Sequence, residues 1–281
     1  MELLIEILKF LVYITLIVVI SKYVLVKTLR SLAKNLNLKP KTVGNIAGIA
    51  TSVPELLTIS ASSYGGLLNA SIYNVLSSNV INLIQYYTAI ALNKNQKILK
   101  NKAIKVELFL VILTIILPVF FVLLKSELQI AMVPVFILLY FGFNKISGNV
   151  HKLYLNSNEK EEVDEKENNA VEKNRKGLIK NIIVLFITGI LLFVVGNLLS
   201  DTLEELCLKF KIPQLIIGII LGFVTSIPEL ITFFESQRHH SKEQNDVHGV
   251  VEATNNLITS NMMNLFIIQS IGVVIFAIFH G

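Results

Sequence analysis

The chain has 281 residues, of which 53% are hydrophobic and only 16% are charged, whereas an average soluble domain is about 25% charged. This composition cannot cover a soluble protein of such length with polar groups, so it excludes an ordinary globular enzyme, a disordered chain and a nucleic-acid-binding module. The net charge of +5 is concentrated in two loops, and the one cysteine, Cys207, excludes an intramolecular disulfide and a cysteine metal cluster.

Eight apolar segments predict membrane-spanning helices, because their hydrophobicity is continuous rather than alternating. They cover residues 3–25, 43–63, 67–92, 106–124, 128–143, 178–199, 215–234 and 250–279. The fifth segment is short for a span, and the eighth is long with a polar first half. The first has no basic leader and no small-residue cleavage site, so it is not interpreted as a signal peptide. The sequence therefore predicts an all-α polytopic membrane protein with about eight transmembrane helices.

The loops predict how these spans are oriented. Two loops carry five basic and no acidic residues each: Lys27, Arg30, Lys34, Lys39 and Lys41 after the first span, and Lys94, Lys97, Lys100, Lys102 and Lys105 after the third. By the positive-inside rule these loops are cytoplasmic, which puts the N-terminus and, after eight spans, the C-terminus outside.

One polar segment, residues 144–177, divides the chain into two membrane halves, 1–143 and 178–281. Acidic residues and lysines alternate in its centre, and the predicted orientation makes it a cytoplasmic linker. A solvated tether is favoured over a regulatory cation sensor, because no loop of calcium-binding spacing is present.

The sequence contains two similar copies of one segment, at residues 44–85 and 218–267. The copies share nearly the same six residues, TSVPEL at 51–56 and TSIPEL at 225–230, and each continues with an S-N-x-x-N pattern. The second and seventh spans, which carry the six-residue motifs, are an odd number of spans apart and cross the membrane in opposite directions. This predicts an inverted-topology repeat, as in many secondary transporters, with the binding site where the copies meet.

Each copy carries one glutamate, Glu55 or Glu229, inside its apolar span. Each lies about 17 Å along a helix from the first glycine of its copy, near the midplane of a core about 30 Å thick. A carboxylate at that depth is costly and is a functional candidate. The alternative, a glutamate that only joins neighbouring helices, is disfavoured because the residue recurs at matched positions.

Polar groups around the two glutamates predict a site for a hard cation, which prefers oxygen ligands. Pro54 and Pro228 remove a backbone donor and predict helices broken just before each glutamate, at the midplane. Hydroxyls and amides in both copies add further oxygens: Thr51, Ser52, Ser78 and Asn82 in the first, and Thr225, Ser226, Ser260 and Asn264 in the second. The alternatives are hydroxyls bonded back to their own helix and amides that join helices.

Three further residues receive lesser roles. Asn79 and Asn261 lie one position off the polar face and are interpreted as structural. Glu252 has no acidic counterpart, since Ala70 matches it, and is expected near the cytoplasmic interface. The five histidines are assigned to loops or the terminus.

Enzymatic chemistry is not supported by the sequence. It has no HExxH motif, no GxSxG motif with a placed base, and no phosphate-binding loop. The chain is therefore interpreted as neither an intramembrane hydrolase nor an ATP-driven pump.

With its two motif pairs the sequence resembles the cation/calcium exchanger superfamily, and within it the prokaryotic sodium/calcium exchangers. The resemblance implies an antiporter of a prokaryotic plasma membrane that moves Ca²⁺ out of the cytosol while Na⁺ enters, both as cargo and with no cofactor. It implies these metal ligands: Glu55, Glu229, Thr51, Ser52, Thr225, Ser226, Ser78, Asn82, Ser260 and Asn264.

The sequence departs from the family pattern in several places. The family usually has ten spans, and the second half here is expected to lack the last two, so a homodimer is predicted to cover that flank. Ser77 and Thr259 stand where the family has a glycine, which puts close helix packing in question. Asn264 replaces an aspartate found in some relatives. Two other functions stay open: exchange of Ca²⁺ or another cation for H⁺, and a degenerate homologue that does not transport.

Overall fold

The computed structural model describes residues 2–28, 31–32, 40–123, 130–154, 175–242 and 246–281. These ranges are helical and contain no strand. Their α-helices are α1 Glu2–Ile20, α2 Pro40–Thr51, α3 Val53–Tyr64, α4 Leu68–Leu92, α5 Lys102–Leu123, α6 Val133–Tyr154, α7 Arg175–Glu204, α8 Gln214–Thr225, α9 Ile227–Lys242, α10 Asp246–Met262 and α11 Gln269–His280. Segments of π-helix extend three of them, at Ser21–Val26, Glu205–Lys209 and Met263–Ile268.

The predicted apolar segments are helical wherever the structure describes them. Within the described ranges, five helical stretches are long and apolar enough to cross a membrane: Glu2–Val26, Ile130–Asn149, Ile179–Lys209, Gln214–Lys242 and Asp246–His280. The fifth predicted span is longer than expected, because α6 continues as far as Tyr154. The rest of the predicted linker up to α7, residues 155–174, lies outside the described residues.

The two motif-bearing helices are interrupted at matched positions, as the prolines predicted. α2 and α3 meet at Ser52, with φ −81° and ψ 0°, and α8 and α9 meet at Ser226, with φ −78° and ψ −2°. The Ser52 amide still donates to the carbonyl of Gly48 at 3.2 Å. The interruption is therefore a kink of one residue and not an unwound segment.

The two copies pack crosswise, each on a helix of the other. α2 of the first copy lies along α10 of the second, and α8 of the second lies along α4 of the first. Glycines allow the close approach. A Cβ atom on Gly48 would lie 2.7 Å from the Asn256 carbonyl oxygen, and one on Gly222 would lie 2.7 Å from the Ser78 nitrogen.

Ser77 and Thr259, which stand where the family has a glycine, do not prevent close helix packing. The Ser77 hydroxyl donates to the Gly218 carbonyl at 3.2 Å, and the Thr259 hydroxyl donates to Asn45 Oδ1 at 3.1 Å. In each pair of helices the glycines lie on the helix opposite Ser77 or Thr259. The helices therefore stay close and gain a hydrogen bond across the contact.

α1 and α7 form an outer pair beside this crossed core, packed through Ile14, Ile17, Leu192 and Leu199. Their other faces are apolar and exposed, and Phe186 of α7 is 72% exposed. An apolar outer surface of this extent is expected of a membrane protein.

Loops predicted to lie on the same side of the membrane meet at the same end of the molecule. At one end the Asn95 amide donates to Gln237 Oε1 at 3.1 Å, and Lys41 donates to the Ser147 carbonyl. At the other end His280 Nε2 lies 2.7 Å from the Tyr64 carbonyl oxygen. These contacts group the loops into two ends as the predicted spans do, and the side that faces the cytoplasm stays a prediction.

Candidate cation site

The crossed core buries all ten side chains that the sequence nominated. Each of them is at most 1% exposed: Thr51, Ser52, Glu55, Ser78, Asn82, Thr225, Ser226, Glu229, Ser260 and Asn264. They come from the kinks of α2–α3 and α8–α9, from the middle of α4, and from the end of α10 with the π-helical segment Met263–Ile268 that follows it. Glu55 and Glu229 are close enough to interact electrostatically.

Glu229 is held by residues of both copies. Its Oε1 atom accepts a hydrogen bond from the Ser260 hydroxyl at 2.9 Å. The Ser260 oxygen in turn lies 3.0 Å from the hydroxyl of Ser52 and 3.5 Å from the amide nitrogen of Asn82, both of the first copy. One carboxylate of the second copy thus shares a polar cluster with two side chains of the first.

Glu55 has a different environment, because neither of its carboxylate oxygens accepts a hydrogen bond from the part of the chain that the structure describes. A threonine of the opposite copy lies beside each carboxylate, Thr225 beside Glu55 and Thr51 beside Glu229. The Thr225 hydroxyl is committed elsewhere, since it donates to the Leu221 carbonyl at 2.8 Å. Glu55 therefore presents two oxygens to a ligand of opposite charge.

Several other buried oxygens near the kinks also have no hydrogen-bond donor. Among the described residues, these are Glu229 Oε2, Asn74 Oδ1, Asn82 Oδ1 and Asn264 Oδ1, in addition to the two carboxylate oxygens of Glu55. Buried acceptors are normally satisfied, so a cluster of unsatisfied ones needs a positive partner. Carboxylate and amide oxygens are the ligands that a hard cation such as Ca²⁺ or Na⁺ prefers.

The four hydroxyls at the kinks bond back to their own helices, as the alternative interpretation proposed. Ser52 and Ser226 donate to the carbonyls four residues earlier at 2.8 and 2.7 Å. Thr225 does the same, and Thr51 donates to the carbonyl of Gly48 at 3.3 Å. This does not remove them as ligands, because a hydroxyl that gives its hydrogen to a carbonyl keeps oxygen lone pairs for a cation.

Asn79 and Asn261 pair across the centre of the molecule, in the structural role the sequence assigned them. Each donates from its amide to the main-chain carbonyl of the other, at 3.2 and 3.1 Å. Asn261 Oδ1 accepts from the Asn82 amide at 3.1 Å, and Asn79 Oδ1 accepts from the Asn264 amide at 3.3 Å. The amide nitrogens of Asn82 and Asn264 are thereby oriented toward protein.

Sequence reasoning missed two matched pairs behind the glutamates. The Asn74 amide donates to Thr58 Oγ1 at 2.8 Å, and Thr58 donates to the carbonyl of Glu55. Asn256 and Thr232 form the same arrangement with the carbonyl of Glu229. Both asparagines and both threonines are repeated in the two copies, which was the available signal.

It also missed two residues away from the kinks. Glu107 of α5 is fully buried and accepts a hydrogen bond from the Ser147 hydroxyl at 3.1 Å. The assignment of every histidine to a loop or terminus is wrong for four of the five, since His151 lies in α6, His248 in α10, and His239 and His240 in α9. Of these, His240 is buried, with 8% of its surface exposed. α9 continues to Lys242, beyond Phe234, where hydropathy alone had placed the end of the apolar segment.

Comparison with known proteins decides the family. The family profile described as "Sodium/calcium exchanger protein" matches residues 6–147 and 180–280, which include both copies of the repeat. This chain belongs to the sodium/calcium exchanger protein family. It is accordingly an integral membrane transporter, and its family supports exchange of cations that include Ca²⁺.

Solved structures of exchangers share the fold of this family member. The sodium-calcium exchanger NCX_Mj, soaked with 2.5 mM Na⁺ and 10 mM Sr²⁺, is 22% identical over 97% of this chain and 83% of its own, with a TM-score of 0.51. The same exchanger in 100 mM Na⁺ and 10 mM Sr²⁺ gives 21% identity, the same coverage and 0.53. The H⁺/Ca²⁺ exchanger CAX gives 16% identity over 97% of this chain and 67% of its own, with 0.63. No curated protein sequence matches the chain.

Proposed function

We propose that this family member is a secondary antiporter that exchanges Ca²⁺ for Na⁺ at a site shared by Glu55 and Glu229. The observation that carries the proposal is the pair of fully buried carboxylates, one from each inverted copy, surrounded by amide oxygens that have no donor. The proposed ligands are these two glutamates with the eight hydroxyl and amide side chains nominated above.

Charge balance explains why such a site would exchange ions. Two ionised carboxylates give the site a charge of −2, which one Ca²⁺ neutralises. Na⁺ ions that use the same oxygens would have to displace it, because a buried like-charge pair is stable only when it is compensated. Mutually exclusive occupancy, combined with rocking of one copy against the other, would couple the movements of the two ions.

Flux through purified protein in proteoliposomes tests this proposal. Vesicles loaded with Na⁺ and diluted into Na⁺-free medium containing Ca²⁺ should take up Ca²⁺, and a sodium ionophore should abolish the uptake. A choline-loaded control should show no uptake. Ca²⁺ uptake that is independent of the Na⁺ gradient would overturn Na⁺ coupling.

A second candidate is exchange of Ca²⁺ for H⁺. It is favoured by one observation, that both oxygens of Glu55 accept no hydrogen bond and could receive a proton as well as a metal ion. An imposed pH gradient, without Na⁺, would then drive the uptake. Saturable Ca²⁺ binding with no flux under either gradient would indicate a homologue that does not transport.

A further inference from the structure

The second copy carries a line of polar residues that continues from Glu229 toward one end of the molecule. Thr232, Ser236 and His240 follow Glu229 on α9 at spacings of three or four residues, so all four share one helix face. The line is buried along its length, since Thr232 and Ser236 are each 1% exposed. His240 lies about 16 Å beyond Glu229 along the helix.

A matching line on α10 faces it. Glu252, Asn256 and Ser260 recur every fourth residue and are all buried. The two lines are bridged at three levels: Ser260 donates to Glu229 at 2.9 Å, the Asn256 amide donates to Thr232, and His240 Nε2 lies 3.0 Å from Glu252 Oε2. Polar groups therefore continue without interruption from the proposed cation site to the His240–Glu252 pair.

The outermost of these bridges, between His240 and Glu252, is found in the second copy but not in the first. In the first copy Asn74 and Thr58 reproduce the middle bridge at 2.8 Å. At the outer level, however, the positions that match His240 and Glu252 hold Gly66 and Ala70, which have no charge. The end of the molecule with the charged pair also contains Lys41 and Asn95, whose loops are predicted to be cytoplasmic.

We propose that Glu252 is a capture site for divalent cations on the cytoplasmic route to Glu229, with His240 as its exchangeable partner. The inference rests on the proposed antiport. A nearly buried carboxylate attracts a divalent cation more strongly than it attracts an imidazole, so an arriving ion displaces His240 and then passes to the oxygens of Asn256, Thr232 and Ser260. A fixed negative charge at the entrance to this route also raises the local cation concentration.

The pair alone does not make a resident metal centre. Within the part of the chain that the structure describes, no three His, Cys, Asp or Glu side chains are arranged to hold a metal ion. One carboxylate and one imidazole give a weak site, which suits capture because the ion must leave again. Gly249 brings α10 against α9 at this level: a Cβ atom there would lie 2.9 Å from Gln237 Cα. α9 and α10 are therefore in close contact at the level of the His240–Glu252 pair.

The test measures Ca²⁺ dependence of transport separately at the two membrane faces, with everted and right-side-out vesicles. Glu252→Gln should raise the half-saturating Ca²⁺ concentration about tenfold at the cytoplasmic face and by less than about twofold at the other. Glu235→Gln, a change at an exposed acid of the neighbouring helix α9, is the control and should change neither. An equal change at both faces, or none at either, overturns the proposal.

His240→Gln separates capture from a purely structural clamp. If the pair only holds α9 to α10, breaking it from either side should raise the half-saturating concentration. If Glu252 captures cations, removal of its partner should lower that concentration or leave it unchanged. A rise similar to that of Glu252→Gln overturns the proposal.

A binding measurement distinguishes failure of the capture proposal from failure of the proposed antiport. In a Glu55→Gln/Glu229→Gln background, purified protein should retain a weak site for radioactive Ca²⁺ that Glu252→Gln removes. If the unmodified protein shows no transport, removal of this residual site by Glu252→Gln would overturn the antiport but support capture. A background with no residual site would overturn capture, whatever the flux.

Discussion

Glu55 and Glu229 are the two side chains whose burial most needs a compensating ligand. Neither forms an ion pair within the described part of the chain. Moving a carboxylate out of water costs several kcal/mol even after the protein relaxes. In the proposed site a cation between them would offset that cost for both at once, which would favour a divalent ion or several monovalent ions.

Replacement of either carboxylate should therefore abolish exchange. Glu55→Gln and Glu229→Gln should each reduce Ca²⁺ flux in proteoliposomes by more than about 100-fold, because one remaining charge cannot neutralise the ion. Both variants should still fold, since the amide keeps the shape and removes a buried charge. Glu235→Gln serves as the control with normal flux. Near-normal flux in either site variant would contradict the site assignment.

The repeat allowed the ten site residues to be nominated from sequence, because matched polar residues within apolar spans stand out. It could not reveal which oxygens stay unsatisfied. Ser260 bonds Glu229, whereas its counterpart Ser78 donates to its own helix at Val75. That difference depends on the exact approach of two helices distant in sequence, which a pattern of spacing does not encode.

At the scale of helices, the crossed packing depends on glycines that face a backbone. α2 and α10 approach at Gly48, and α8 and α4 approach at Gly222. In a membrane the association of helices relies on such close contact, because lipid is as apolar as the side chains. The two contacts bring the kinks of α2–α3 and α8–α9 beside the crossing helices of the opposite copy.

Adding a methyl group at these contacts should destabilise the fold. Gly48→Ala and Gly222→Ala should each cost about 1–3 kcal/mol, because the new Cβ collides with backbone that cannot move away. Gly142→Ala is the matched control: nothing lies within 4 Å of its added Cβ, so it should be neutral or slightly stabilising. Thermal unfolding in detergent measures the difference. Equal melting temperatures for all three would contradict the role of the glycine contacts.

The predicted linker should contribute little to transport. Deletion of residues 159–174 should leave Ca²⁺ flux within about twofold of the full chain, because every proposed ligand lies in the helices and enough polar chain remains to join the halves. Flux and expression level should be measured together. A well-expressed deletion with no activity would indicate that the linker regulates exchange.

The ends of the helices were predicted less well from the sequence than their presence. Hydropathy placed the end of the seventh span at Phe234, but α9 continues through polar residues to Lys242. Apolar content marks the part of a helix that lies in lipid, whereas backbone hydrogen bonds extend the helix into the interface. His240 was misassigned for that reason.

At the scale of the whole molecule, the second copy leaves an apolar face uncovered. Outward residues of α8 are between 45% and 59% exposed: Leu215, Ile216, Ile219 and Phe223. The kink at Ser226 follows directly, and backbone near a kink in a membrane needs protein around it. This face is where the predicted homodimer would form.

We expect the protein to be a homodimer in mild detergent, with a complete site in each subunit because both copies belong to one chain. Cross-linking and mass measurement would give the oligomeric state. Phe223→Lys, placed on the exposed face of α8, should shift the population toward monomer, whereas Phe186→Lys on α7 should not. A fully active, monodisperse monomer would rule the dimer out as a requirement.

The crossed packing also sets an order of events during synthesis. α2 leaves the ribosome roughly 200 residues before α10, the helix it packs on, which at about 5–20 residues per second is a delay of about 10–40 s. Until then Gly48, Ser52 and Glu55 have no partner from the second copy. The first half must therefore stay in the translocation machinery, or in lipid, while these polar groups lack their partners. A chain truncated after its first half could not finish folding. Biogenesis thus depends on the helices of the second copy.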